Sequence, residues 1–294
     1  MKKLGDKIKR VGLIGNLGKA GCADSVRRAS RLIQRAGLRI ICEQQTARLA
    51  GLKAVTAEDA ATLAREVDLL LVFGGDGTML HVARDIAGSS TPMLGVNLGG
   101  LGFLTAVPSD ELPSALKQIW SGEFKFEMRD LIEAGGVCQG EPIRATALND
   151  IVVSRGAVSR LITLDVSVDG ELVTRYRCDG LIISSPTGST AYSLAAGGAV
   201  VLPTADVFVL TPICPHALSN RSIILPLSST LRVKAVTPQL ATILSADGEM
   251  VADMDAGDEI TIRRSQSAIR LMHLAGSSFL EALRRKLHWR GTYL

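Results

Sequence analysis

The chain has 294 residues, about twice the roughly 150-residue length expected of one domain, so it reads as two domains or one large one. With 47% hydrophobic and 21% charged residues it can bury a core, which excludes an intrinsically disordered chain. Its 33 Lys and Arg against 29 Asp and Glu leave a charge of +4 that sits near the ends, and with six Phe, three Tyr and two Trp it offers little stacking surface, so no nucleic-acid partner is expected.

In chain order, Val11 to Gly15 is a short apolar run and reads as a strand. Val26, Ala29, Leu32, Ile33 and Ala36 then recur at helical spacing, and Gly37 supplies the stop. Leu38 to Cys42 is strand-like. Thr56 is a candidate helix cap with Glu58 and Asp59 in the first turn, and Asp68 to Phe73 is a strand whose residues after Asp68 are all apolar. A helix is expected after Gly77, a strand over Met93 to Val96, and a helix capped by Ser109 that carries Leu112, Ala115, Leu116 and Ile119. Alternating strands and helices with continuous apolar strands imply a parallel sheet covered on both faces.

From about residue 124 the hydrophobic period changes to two. Strands are expected around Ala147 to Ser154, Leu161 to Val168 and Leu172 to Arg177, the last two joined by a two-residue Asp169-Gly170 hairpin. Further short strands follow at Val207 to Leu210, Ser222 to Leu225, Leu231 to Val236, Thr242 to Leu244 and Glu259 to Arg263. Phe279, Leu280, Leu283 and Leu287 share one face of a final helix.

The five cysteines are odd in number and contain no C-x-x-C pair, so neither a disulfide framework nor a zinc site is suggested. The N-terminus has no secretory pattern. The most apolar long stretch, Tyr192 to Leu218, is interrupted by Asp206 and by Pro203, Pro212 and Pro215, so no membrane span is expected. A cytoplasmic location is the expectation.

Glycine carries the chemical information. Eight glycines fall between residues 74 and 102 and four between 180 and 198, out of 29 in the chain. Within the first group, Phe73-Gly74-Gly75-Asp76-Gly77-Thr78 joins an apolar strand to a helix, at the carboxyl edge of a parallel sheet where ligands bind. Glycines there let backbone N–H groups approach phosphate oxygens. Asp76 among them serves to hold a metal, to accept a proton from an attacking hydroxyl, or simply to cap the helix. The run is neither a Walker A loop nor G-x-G-x-x-G. In the second group, Pro186 to Ala191 offers hydroxyls and backbone donors suited to a sugar and an adenine, or is a Ser/Thr-rich turn into a core strand. Tyr192 could lie against a base.

The GGDGT run resembles the signature of a kinase superfamily that includes NAD kinases, diacylglycerol and sphingosine kinases and, as GGDGS, phosphofructokinases. The segment Asp179 to Gly198 (DGLIISSPTGSTAYSLAAGG) is similar to the NAD kinase signature in particular, as are Gly95 to Thr105 (GVNLGGLGFLT), Ala147 to Asp150 (ALND) and Pro212 to Pro226 (PICPHALSNRSIILP). The resemblance implies transfer of the terminal phosphoryl group of ATP, or of polyphosphate, to the 2′-hydroxyl of the adenosine ribose of NAD. It implies Asp76 as the catalytic residue and Gly74, Gly75, Gly77 and Thr78 as the phosphate-donor loop; the sequence itself shows no dedicated metal cage, so no metal-ligating residues are expected. NAD contacts are implied at Asp76, Gly77, His81, Asn149, Asp150, Arg160, Arg177, Asp179, Thr190, Ala191, Tyr192, Ser193, Leu194, Ala195 and Glu249. Asp150 stands where the family usually has Glu, Glu249 where many members have Gln, and Ser185 where Thr is common.

The expected architecture is an α/β N-terminal domain with a parallel, Rossmann-like sheet over residues 1–127, completed by a C-terminal helix over 268–294. An all-β-rich, β-sandwich-like domain over 128–267 would bind NAD. The implied cofactor is a divalent metal cation, Mg²⁺, beside ATP or polyphosphate as co-substrate, and the implied assembly is a homodimer or homotetramer.

Overall fold

The computed structural model describes residues 4–289, apart from 101, 158–159, 218–220 and 239–241; the Gly95 to Thr105 and Pro212 to Pro226 segments each contain residues outside that set. The chain divides into two compact units, residues 1–128 with 269–294, and residues 129–268.

The first unit alternates strand and helix: β1 (Arg10–Gly15), α1 (Cys22–Arg35), β2 (Arg39–Glu43), α2 (Gln44–Ala50), β3 (Val55–Ala57), α3 (Ala60–Glu66), β4 (Leu69–Gly74), α4 (Asp76–Asp85), β5 (Met93–Asn97), β6 (Val107–Pro108) and α5 (Leu112–Ser121). The order β5-β4-β1-β2-β3 is parallel throughout. Every residue of β4 is buried, as a strand covered on both faces must be. Leu69, Leu71 and Phe73 meet Val26 and Ile33 of α1 in one continuous core. The expected parallel α/β architecture is what forms.

The helix starts differ from expectation in two places. The third helix begins at Ala60, because Asp59 caps it by accepting from the Thr62 amide at 2.7 Å, while Thr56 lies in β3. The fifth begins at Leu112 with Pro113 in its first turn, and Ser109 does not cap it. The seven-residue α2, capped by Glu43 through the Thr46 amide, was too short to show a period.

The second unit is built of β7 (Phe124–Cys138), which starts in the first unit, β8 (Glu141–Ala147), β9 (Asp150–Arg155), β10 (Ile162–Val168), β11 (Glu171–Cys178), β12 (Gly180–Ser184), the short α6 (Tyr192–Ala195), β13 (Val207–Ile213), β14 (Ile223–Pro226), β15 (Leu231–Ala235), β16 (Thr242–Ala246), β17 (Glu249–Met254) and β18 (Glu259–Leu274), whose last residues belong to the first unit. One antiparallel sheet has the order β14-β13-β12-β9-β16-β17, and facing it are β11-β10-β15-β18 with β7 and β8. Ile151, Leu181, Phe208 and Leu244 of one sheet and Leu164, Val233 and Ile260 of the other share a single core, which makes a β-sandwich. The β10–β11 turn is the expected one, with φ positive at both Asp169 (53°) and Gly170 (90°).

At the end of the chain, residues expected as helix from 268 are strand to Leu274, with α7 confined to Phe279–Lys286. Leu271 pairs with Met93, adding a further parallel strand beside β5. Among the described residues no helix is long and apolar enough to cross a membrane.

Candidate active site

In the first unit the glycine turn begins where β4 ends. Gly74 is buried, and a Cβ there would strike the Thr78 side chain, so this glycine permits close strand-helix packing. Gly75 and Gly77 face open space. Thr78 is fixed by its amide, which donates to Gly75 O at 3.0 Å, and by Asn16 Nδ2, which donates to its hydroxyl at 3.0 Å.

Asp76 opens α4, and its carboxylate is held by the 103–105 loop. Oδ2 accepts from the Phe103 amide at 2.8 Å. Oδ1 accepts from the Leu104 amide (3.1 Å), the Thr105 amide (3.2 Å) and the Thr105 hydroxyl (3.2 Å). A carboxylate has about four lone-pair sites, so Oδ1 is saturated and Oδ2 keeps one free. Gly102 is what lets the loop come this close, since a Cβ there would collide with Asp76 Oδ1 and Thr105 Oγ1. The Phe103 ring in turn packs 6.0 Å from Phe279 of α7, with Lys286 Nζ 4.9 Å over its face.

In the second unit the Leu148-Asn149-Asp150 turn is the centre of a dense polar cluster. The Asp247 carboxylate accepts from all three amides, at 2.9, 2.7 and 3.2 Å. Ser185 donates its amide to Asn149 O (2.8 Å) and its hydroxyl to Leu148 O (2.5 Å), and receives the Gly188 amide at 3.2 Å. A Cβ at Gly188 would strike Asn149 O, so the P-T-G-S-T run lies directly on this turn. Asp150 is buried, and burial, with the Asp247 charge second, pushes its carboxyl up to about 7.

The other expected residues differ in setting. Tyr192 is 47% exposed and so is available to a flat ligand, while Ser193 is fully buried against the Thr211 hydroxyl at 3.0 Å. Asp179 pairs with Arg155 at 3.0 Å. Arg160, Arg177, Ala195 and Glu249 are exposed, Thr190, Ala191 and Leu194 half-buried. His81 lies on α4 with Nε2 3.5 Å from Asp85. Sequence reasoning missed Phe103, Thr105 and Asp247. The available signal was the Asp247-Gly248 turn, where φ is positive at both residues, though nothing local links it to position 149.

A buried parallel strand that ends in a glycine turn, with a carboxylate anchored at that turn, places the chain in the class of α/β proteins that seat an anionic ligand at the carboxyl edge of a parallel sheet. Family models described as the ATP-NAD kinase N-terminal domain and the ATP-NAD kinase C-terminal domain match residues 11–124 and 148–274. The chain is 40% identical to the NAD kinase of Cupriavidus pinatubonensis over 283 residues, 96% of this chain and 92% of that one. It is 40% identical to the NAD kinase of Polaromonas naphthalenivorans over 284 residues, 96% and 97% respectively. Among solved structures it is similar to yeast NADH kinase complexed with NADH (27% identity, TM-score 0.88, 98% of this chain and 89% of that one). The fold is also that of an Archaeoglobus fulgidus NAD kinase in complex with ATP (24% identity, TM-score 0.75, 96% and 100%). This chain belongs to the ATP-NAD kinase family.

Proposed function

We propose that the chain transfers the terminal phosphoryl group of ATP to the 2′-hydroxyl of the adenosine ribose of NAD, giving NADP, with Asp76 as the group that orients that hydroxyl. The observation that carries the reading is the asymmetric anchoring of Asp76: Oδ1 is fully engaged by the loop, so Oδ2 presents one lone pair in a fixed direction. The hydroxyl donates to that oxygen and releases its proton late, as bonding to phosphorus makes it acidic. Gly75 and Gly77 face open space, so their amides and the Thr78 hydroxyl serve the donor phosphates. Asn149, Asp150 and Tyr192 supply polar and flat surfaces for the NAD.

Among the described residues no group of three or more His, Cys, Asp or Glu could hold a metal ion. A Mg²⁺ ion carried chiefly by the substrate phosphates and water would, when bound, neutralise phosphate charge. We extend the reading to a cytoplasmic homo-oligomer, as the family resemblance implies.

The test is NADP formation from NAD, ATP and Mg²⁺ by wild type and Asp76→Asn. The variant should lose about 10²- to 10⁴-fold in kcat. A wild type that binds NAD without forming NADP would make the chain a nucleotide sensor, and an unimpaired Asp76→Asn would remove the assigned role.

A further inference from the structure

The P-T-G-S-T run of the second unit is pinned almost residue by residue. Ser185, just before it, is tied to the Leu148 and Asn149 carbonyls, and Gly188 leaves no room for a Cβ beside Asn149 O. The buried Ser189 hydroxyl donates to Pro186 O at 2.8 Å and accepts the Val201 amide at 3.0 Å. These anchors are neutral, and they come from segments that adjoin the run's own sheet, before β9 and before β13.

Thr187 is held differently. Its hydroxyl accepts from Nη1 of Arg129 at 3.3 Å, from 58 positions earlier in the chain. Arg129 lies on β7, in the facing sheet, so this bond links the two sheets of the sandwich within the second unit. Both partners are buried, Arg129 at 4% exposure and Thr187 at 7%. Arginine is almost never buried to this degree unless it is paired, because removing a guanidinium from water is costly. A well-packed apolar residue in its place would be no worse for stability, and often better. The cation at this position therefore answers to something other than packing.

A guanidinium only donates, so Thr187 Oγ1 is the acceptor and its own proton is turned away from Arg129. The bond fixes the orientation of the hydroxyl as well as its place. Thr187 opens the short helical turn Thr187–Thr190, which runs directly into α6. Thr190 Oγ1 donates to Thr187 O at 3.4 Å and the Ala191 amide donates to Gly188 O at 2.9 Å, so the position of Thr187 is passed on to Thr190, Ala191 and Tyr192.

We propose that Arg129 is a positioning residue for NAD, which acts through the Thr187 hydroxyl to set the Thr187–Thr190 turn and does not itself touch the substrate. The proposal rests on reading Thr190 to Ala195 as part of the NAD surface.

The test is a double-mutant cycle of Arg129→Lys and Thr187→Val, with Thr187→Ser as the rescue. Lys keeps the charge without the planar fork, Val keeps the shape of Thr without the acceptor, and Ser restores the acceptor. In NADP formation each single variant of the cycle should raise KM for NAD about tenfold, with kcat and KM for ATP within about threefold of wild type. The double variant should be no worse than either single, because both remove one bond, whereas independent effects would multiply to about a hundredfold. Thr187→Ser should recover most of what Thr187→Val loses. A purely structural role would lower the melting temperature and leave KM for NAD unchanged. That result, or KM changes that multiply, would overturn the proposal. Arg129→Gln takes the place of Arg129→Lys in the cycle if the latter does not fold.

Equilibrium titration of NAD into each protein without a phosphate donor separates this role from the proposed reaction. Weaker NAD binding by both single variants supports the positioning role even if no NADP is formed, in which case the reaction falls alone. Unchanged NAD affinity refutes the role even if wild type makes NADP. A wild type that binds no NAD would overturn both.

Discussion

The Phe103 amide donates to Asp76 Oδ2 at 2.8 Å, so the orientation of the carboxylate at the end of β4 depends on a loop 27 residues further along the chain. Gly102 sets how closely that loop can approach. Gly102→Ala should displace Asp76 and lower kcat by about 100-fold, the scale expected when a reacting group moves by about 1 Å, with both KM values within about threefold of wild type. Steady-state kinetics in which both substrates are varied would check this.

The same loop is braced from its other side by α7, through the Phe103–Phe279 contact. Phe279→Ala removes an aromatic pair worth about 1 kcal/mol beyond its buried area, and should lower kcat about threefold to tenfold without changing either KM. Phe279→Leu keeps apolar bulk against the ring and should recover part of the loss. A general loss of fold would instead lower the melting temperature and leave the active fraction with normal kcat, which active-site titration distinguishes.

Asp247 holds three consecutive amides of the Leu148–Asp150 turn. Asp247→Ala leaves them without that acceptor and should cost about 2–3 kcal/mol of unfolding free energy. Asp247→Asn retains one acceptor oxygen and should cost less. Both should raise KM for NAD if the turn contacts it, and denaturant unfolding together with kinetics reads the two effects separately.

The Asp150 carboxyl, pushed up to about 7 by burial and by Asp247, binds its proton more tightly in the folded than in the unfolded chain. Its protonated form therefore favours the native state at low pH. That contribution fades as pH rises from about 4, where an unfolded Asp titrates, through 7. Asp150→Asn should flatten the fall in stability over this window, narrowing the difference in melting temperature between pH 5 and pH 8 by about 3 °C or more. An unchanged pH slope would assign the titration elsewhere.

The strand-helix alternation and the GGDGT turn were readable because β4 is buried on both faces and so carries an unbroken apolar run that ends at glycine. The Asp169-Gly170 hairpin was readable because its turn requires positive φ twice. The Asp76 anchor was not, since it consists of main-chain amides whose donors carry no side-chain signature, brought near by Gly102 from a distant segment. The start of α3 was misread because Thr56, Glu58 and Asp59 can each fill cap or first-turn positions, and only the Thr62 amide settles which does. The end of β18 was missed because its final residues answer to β5, nearly 180 residues earlier, rather than to a local period.

That late strand has a consequence during synthesis. The first 128 residues emerge with β5 still lacking its neighbour Leu271, and with Asp76 held by a loop whose brace, Phe279, has yet to be translated. At ribosomal speeds of about 5–20 residues per second the gap lasts on the order of ten seconds. Throughout it the nascent chain carries an open parallel edge beside Met93 and Leu94, which makes this interval the one in which a chaperone has most to protect.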